Sequence, residues 1–225
     1  MPQSLYTMKT KWEPFAHAML AFFPKGPDAD YFITNPKSIF RNRYGTLSLL
    51  DRMAGIDSAS GLSQDLEWRI STGIRHEFSK IYRELEWLPE AERMQRIEAI
   101  THNPLREKYT VANHYLRRMP SGGIAAFDAT YSVFYSMAGE RLDWLTADET
   151  WTLIGRSVHL AQSHYTNWYD YCTGFVAGLD FTFPTQLQDK KEREQRLRRL
   201  LGLSGNLLKD ELFPDVARDA EVRLS

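Results

Sequence analysis

The chain has 225 residues, of which 43% are hydrophobic, 25% charged and 13% aromatic, a globular composition that excludes extended disorder. Twenty-eight basic residues against 29 acidic ones leave a formal net charge of −1, which excludes a uniformly basic nucleic-acid binder and an acidic tail protein. The single cysteine, Cys172, excludes an intrachain disulfide and a CxxC pair, and fits a reducing, cytoplasmic setting.

Apolar spacing is helical along nearly the whole chain, with no convincing two-residue alternation bounded by hairpin turns. Trp12, Phe15, Ala16, Met19 and Phe22/Phe23 share a face and predict a first helix over 12–23, stopped by Pro24. Lys9 and Lys11 precede this apolar stretch in the manner of a signal peptide. Glu13, Pro14 and His17 interrupt it, however, and no small-residue cleavage site follows. No run reaches the roughly 18 apolar residues of a membrane span. Gly26-Pro27 and Asn35-Pro36 mark a loop over 25–36. A second helix is expected over 37–53, weakened by Gly45, followed by a polar linker over 57–63. One long helix is expected over 64–87. Pro89 and Pro104 fit only the first turn of a helix, so each opens one. In the second of these, Leu105, Tyr109, Ala112, Leu116 and Met119 form a stripe that ends at Pro120-Ser-Gly-Gly123.

The strongest signals lie in 124–183. Ile124, Phe127, Tyr131, Phe134, Tyr135 and Ala138 predict one apolar face, with Gly139 as the stop. Thr146-Ala-Asp-Glu149 is a capping box opening a helix with Trp151, Ile154, Val158, Ala161 and Tyr165 inward. A last core helix is expected from about Asn167, capped by Thr166, burying Trp168, Tyr171, Cys172, Phe175 and Leu179. Gly174 and Gly178 on its flank cost helix propensity, so a neighbouring backbone is expected to pass close. Beyond Pro184, Lys190, Lys191, Arg193, Arg196, Arg198 and Arg199 alternate with acids in a charged helix over 186–201. It reads as a solvated arm without stacking aromatics. The expected division is a helical domain over 1–183 and an arm and tail over 184–225.

None of the familiar catalytic or nucleotide-binding motifs occurs, and no metal or cofactor site is expected. Cys172 falls among apolar neighbours and reads as an inert core thiol. His159 and His164 are five apart, about 140° round a helix, and cannot jointly hold one metal. His164 and Asp170 flank a turn and are placed to approach each other. Asp128 sits at the rim of its stripe. It reads as a first-turn acid or part of a buried network, or else as a tunable carboxylate at a cleft with Arg156, Gln162 and His159.

Phe127-Asp128, Leu145-Thr-Ala-Asp-Glu149, Gln162-x-x-Tyr165-x-Asn167-Trp168 and Gly178 together resemble the bacterial family of unknown function typified by enterobacterial YbeU and YbeR. The likeness covers 124–183. Phe127 stands where Trp is commoner, Tyr131 where a basic residue is frequent, and Asn167 where Ser precedes the Trp. The resemblance implies a bacterial, cytoplasmic helical domain and supplies no activity.

The expected fold is therefore all-α, a single domain of seven to nine helices around a central three-helix unit over 124–179. The leading functional expectation is a non-catalytic module whose partner is another protein, with nucleic acid disfavoured. The alternative is a small-molecule-binding protein or hydrolase with a cleft near Asp128, drawing on Arg156, Gln162, His159 and Trp168.

Overall fold

A computed structural model of the chain describes residues 3–21, 23, 36–40 and 42–184. Side-chain caps set where four of its described helices begin. The first, α1 (Gln3–Leu20), starts earlier than the expected 12 and carries Pro14 in its interior. Trp12, Phe15, Ala16 and Met19 are buried on that helix, and this apolar anchoring offsets the hydrogen bond that proline removes. The expected single helix over 37–53 is instead a 3-10 turn (Pro36–Phe40) and α2 (Arg43–Ala54). The break is local: the Asn42 side chain accepts the Gly45 N–H at 2.7 Å and opens a new helix. Gly55, at φ 65°, closes α2 by donating its N–H to the Asp51 carbonyl.

The segment 57–63 is not a linker, because Ser58 accepts the Gly61 N–H and opens α3 (Ala59–Ser71). The expected helix over 64–87 is two helices, α3 and α4 (Gly73–Glu86), broken where Gly73 takes φ 63°. Pro89 and Pro104 do open helices, α5 (Glu90–Glu98) and α6 (Asn103–Tyr115). Three more follow: α7 (Ala125–Arg141), α8 (Ala147–His164) and α9 (Trp168–Thr182). The Thr146/Glu149 capping box is present on α8. The cap of α9 is Asn167 rather than Thr166, its side chain accepting the Asp170 N–H at 2.8 Å. Gly139 lies inside α7 and does not end it. A Cβ there would come within 2.6 Å of Leu62, so the glycine serves close packing. The turn beyond is made by Asp143 at φ 58°, with the Trp144 N–H donating to the Gly139 carbonyl.

All described secondary structure is helical. The helix α7 is the axis of the fold: every residue from Ala125 to Gly139 is buried, not one face as its spacing predicts. It packs against α1, α2, α3, α4, α8 and α9, so no side is left for water. One apolar cluster joins α1, α2, α3, α7, α8 and the Cys172/Phe175 face of α9. A second joins α4, α5 and α6 to Ala177 and Phe181 on the other face of α9. The two α9 glycines permit close approach. A Cβ at Gly174 would lie 2.6 Å from the Gly123 carbonyl, and one at Gly178 would collide with the Phe127 Cβ. Of the charged arm over 184–225, residues 185–225 lie outside the described residues, and Lys190 to Arg199 with them.

Candidate functional site

The most chemically loaded position is Asp128, in the first turn of α7 and fully buried. It faces the α3–α4 break. Thr72, the residue before α4, makes no side-chain cap, which leaves the first N–H groups of α4 exposed to whatever lies opposite. Asp128 fills that role from 54 and 53 residues away. Its Oδ1 accepts the Ile74 N–H at 3.0 Å and its Oδ2 accepts the Arg75 N–H at 3.1 Å. The carboxylate is thus a remote N-cap at the positive end of α4. Gly73 is required for this approach, since a Cβ there would strike the Asp128 carboxylate and the Arg75 guanidinium.

Two arginines complete the cluster. Arg75 donates through Nη1 to Asp128 Oδ2 at 3.2 Å and through Nη2 to the Ile70 carbonyl at 2.8 Å, tying the end of α3 to the start of α4. Arg69 donates to Asp65 Oδ2 at 2.6 Å, and its Nη1 lies 3.8 Å from Asp128 Oδ1. Its guanidinium also lies 5.2 Å from the Tyr131 ring centre and 5.0 Å from that of Tyr135. Burial pushes the Asp128 carboxyl above its ordinary value, against the opposing pull of the Arg75 and Ile74 N–H groups and both guanidiniums. Neither Arg69 nor Arg75 stands out in the sequence. The one available signal was a glycine inside an apparently continuous helix.

The other sequence-predicted residues have different partners. Arg156 is exposed and forms a two-pronged ion pair with Glu67 at 2.9 and 3.0 Å. His159 is exposed, its ring edge-on to Trp12 at 4.9 Å. Gln162 is half-buried six residues beyond Arg156 on α8. Trp168 is buried against Phe15 and Tyr171. His164 Nδ1 lies 2.9 Å from the Leu160 carbonyl, while Asp170 accepts from Asn167 Nδ2 at 3.0 Å. Burial pushes the Cys172 thiol up to about 12, so it carries little thiolate at neutral pH.

An open depression of about 320 Å³ lies elsewhere, lined by Lys9, Phe40, Glu140, Arg141, Asp143 and Trp151 among others. None of the sequence-predicted site residues lines it. Among the described residues, no group of three or more His, Cys, Asp or Glu side chains is placed to hold a metal, and no helix is long and apolar enough to cross a membrane.

No curated protein and no solved structure matches the chain. A family model does, over residues 50–206, a span that takes in α3 to α9 and with them the whole Asp128 cluster. That span is more than half of the sequence, and the chain therefore belongs to the family described as "Protein of unknown function (DUF1266)".

Proposed function

We propose that this chain is a non-catalytic protein-interaction module, an adaptor or a regulatory or immunity-type partner, working in a bacterial cytoplasm. The compartment rests on the lone thiol and on the YbeU/YbeR-like pattern over 124–183. The observation that carries the functional reading is Trp87, which closes α4 with 83% of its surface in water. Tryptophan is rarely left so open in a monomer, and it is the side chain most enriched among binding hot spots. Tyr169, 67% exposed at the start of α9, is of the same kind. The alternative of a ligand cleft near Asp128 has no comparable support, because that carboxylate is sealed from solvent and holds backbone N–H groups of its own chain.

The test is affinity purification of the tagged full chain from its native host, with Trp87→Ala and Tyr169→Ala in parallel. A partner recovered in stoichiometric amount by the native chain, and lost from at least one variant, supports the module. Recovery of no stoichiometric partner by the native chain overturns it.

A further inference from the structure

Helices α4, α5 and α6 pack as a lobe of their own. Gly73, at φ 63°, opens α4, and Gly123, at φ 58°, lies between α6 and α7, so a left-handed glycine stands at each end of the segment. Between them, Phe78, Ile81, Leu85, Ile97, Val111 and Ala112 belong to a separate apolar cluster, which reaches the rest of the molecule through Ile124, Ala177 and Phe181. Polar side chains tie these helices to one another. Glu84 holds Arg96 at 2.9 Å and Tyr109 at 2.6 Å, Arg93 Nε donates to Asn113 Oδ1 at 2.8 Å, and Lys108 holds Glu77 at 2.7 Å. The remaining helices, α1, α2, α3, α7, α8 and α9, form a frame. The seam between lobe and frame includes two buried carboxylates. Asp128 accepts the Ile74 and Arg75 N–H groups, and Asp180 accepts the Tyr115 hydroxyl at 2.6 Å. Beside them, Phe78 meets Phe181 edge-on at 5.2 Å.

We propose that this lobe, residues 73–119, opens by unfolding as one unit while the frame stays folded, with Asp128 as its latch. An undocked lobe loses Ala177 and Phe181 from its cluster, and helices of 14, 9 and 13 residues are too short to persist alone. Its helices therefore come apart together rather than swing away intact. The carboxylates at the seam regain water as it opens, so the loss of their hydrogen bonds is partly offset by hydration. The frame meanwhile keeps α7 covered by α1, α2, α3, α8 and the Cys172/Phe175 face of α9. Local openings follow contiguous supersecondary pieces of this kind. The opening bares Ala177, Asp180 and Phe181 on α9, and Trp87 at the end of α4 travels with the lobe. The inference stands apart from the interaction-module reading, since it concerns only how the lobe is held to the frame.

The experiment is hydrogen exchange of the full chain, followed by mass spectrometry in rising urea below the global transition. Peptides from α4, α5 and α6 are expected to converge on one opening constant, at least about tenfold larger than that of peptides from α1, α8 and the buried stretch of α7. Two variants separate a lobe from a region that is only softer. Ile154 is buried in the frame, which is folded in both the closed and the lobe-open states. Ile154→Val should therefore raise the frame's opening constant by about 2- to 10-fold and leave the lobe's unchanged. Asp128→Asn weakens the seam, which breaks in lobe opening and in global unfolding alike. It should raise both constants by the same factor, about tenfold. Equal opening constants for lobe and frame in the native chain overturn the proposal. So does an equal response of both to Ile154→Val, or a lobe whose exchange Asp128→Asn does not change.

Discussion

Asp128 carries a carboxylate where water is excluded, a placement that costs several kcal/mol unless hydrogen bonds and opposite charges replace the lost hydration. Here Ile74, Arg75 and Arg69 replace it. Removing the acid leaves two α4 N–H groups without their acceptor and takes the counter-charge from two largely buried arginines, which keep only Asp65 and backbone carbonyls as partners. Asp128→Ala is expected to lower the stability to urea denaturation by about 3–5 kcal/mol. Asp128→Asn, which keeps one acceptor oxygen, should lose less. If the alanine variant were as stable as the native chain, the remote cap would carry no weight. The apolar spacing around Phe127 and Tyr131 puts Asp128 at the rim of a face, and a buried hydrogen-bond network was one expectation for it. Its partners could not be read, because they lie more than 50 residues earlier and meet it only once α3 and α4 fold against α7.

Among the elements, some ends built from neighbouring residues were legible, although the equally local Asn42 and Ser58 caps were missed, and ends held by distant residues were not legible. The Thr146/Glu149 box and the prolines before α5 and α6 act within a turn of where they stand. The α3–α4 break looks continuous in the one-dimensional pattern because Leu66, Ile70, Ile74, Phe78 and Ile81 keep an apolar face across it. Two glycines of similar φ separate conformation from close approach. At Gly55 no heavy atom would come within 4 Å of an added Cβ, whereas at Gly73 it would strike Asp128 and Arg75. Gly55→Ala should cost about 1–2 kcal/mol, the left-handed penalty alone. Gly73→Ala should cost clearly more in the same denaturation assay. Glu84 gives the α4–α5–α6 corner its pH dependence. The Tyr109 hydroxyl, then Arg96, holds its carboxyl below the ordinary 4.5. Its contribution is therefore complete above that value and disappears as pH falls through the lower folded one. The urea midpoint of Glu84→Gln should change less than that of the native chain on acidification through this window.

For the whole molecule, two tryptophans mark inside and outside. Trp168 is buried against Phe15 and Tyr171, and Trp168→Ala should cost about 3–5 kcal/mol in urea denaturation. Trp87→Ala should change stability by no more than about 0.5 kcal/mol, which makes any loss of partner binding in that variant attributable to the surface. The all-helical class, the proline-opened helices and the inward set of aromatics follow from periodicity and local capping, which act over a few residues and so can be read along a chain. Three features needed the folded molecule: the burial of α7 on every side, the capture of Asp128 by α4, and the exposure of Trp87 at the end of α4. Each depends on which helices meet. That is settled by the shape of the apolar faces and the close approaches at Gly73, Gly139, Gly174 and Gly178, contacts between parts of the chain that one-dimensional spacing does not relate.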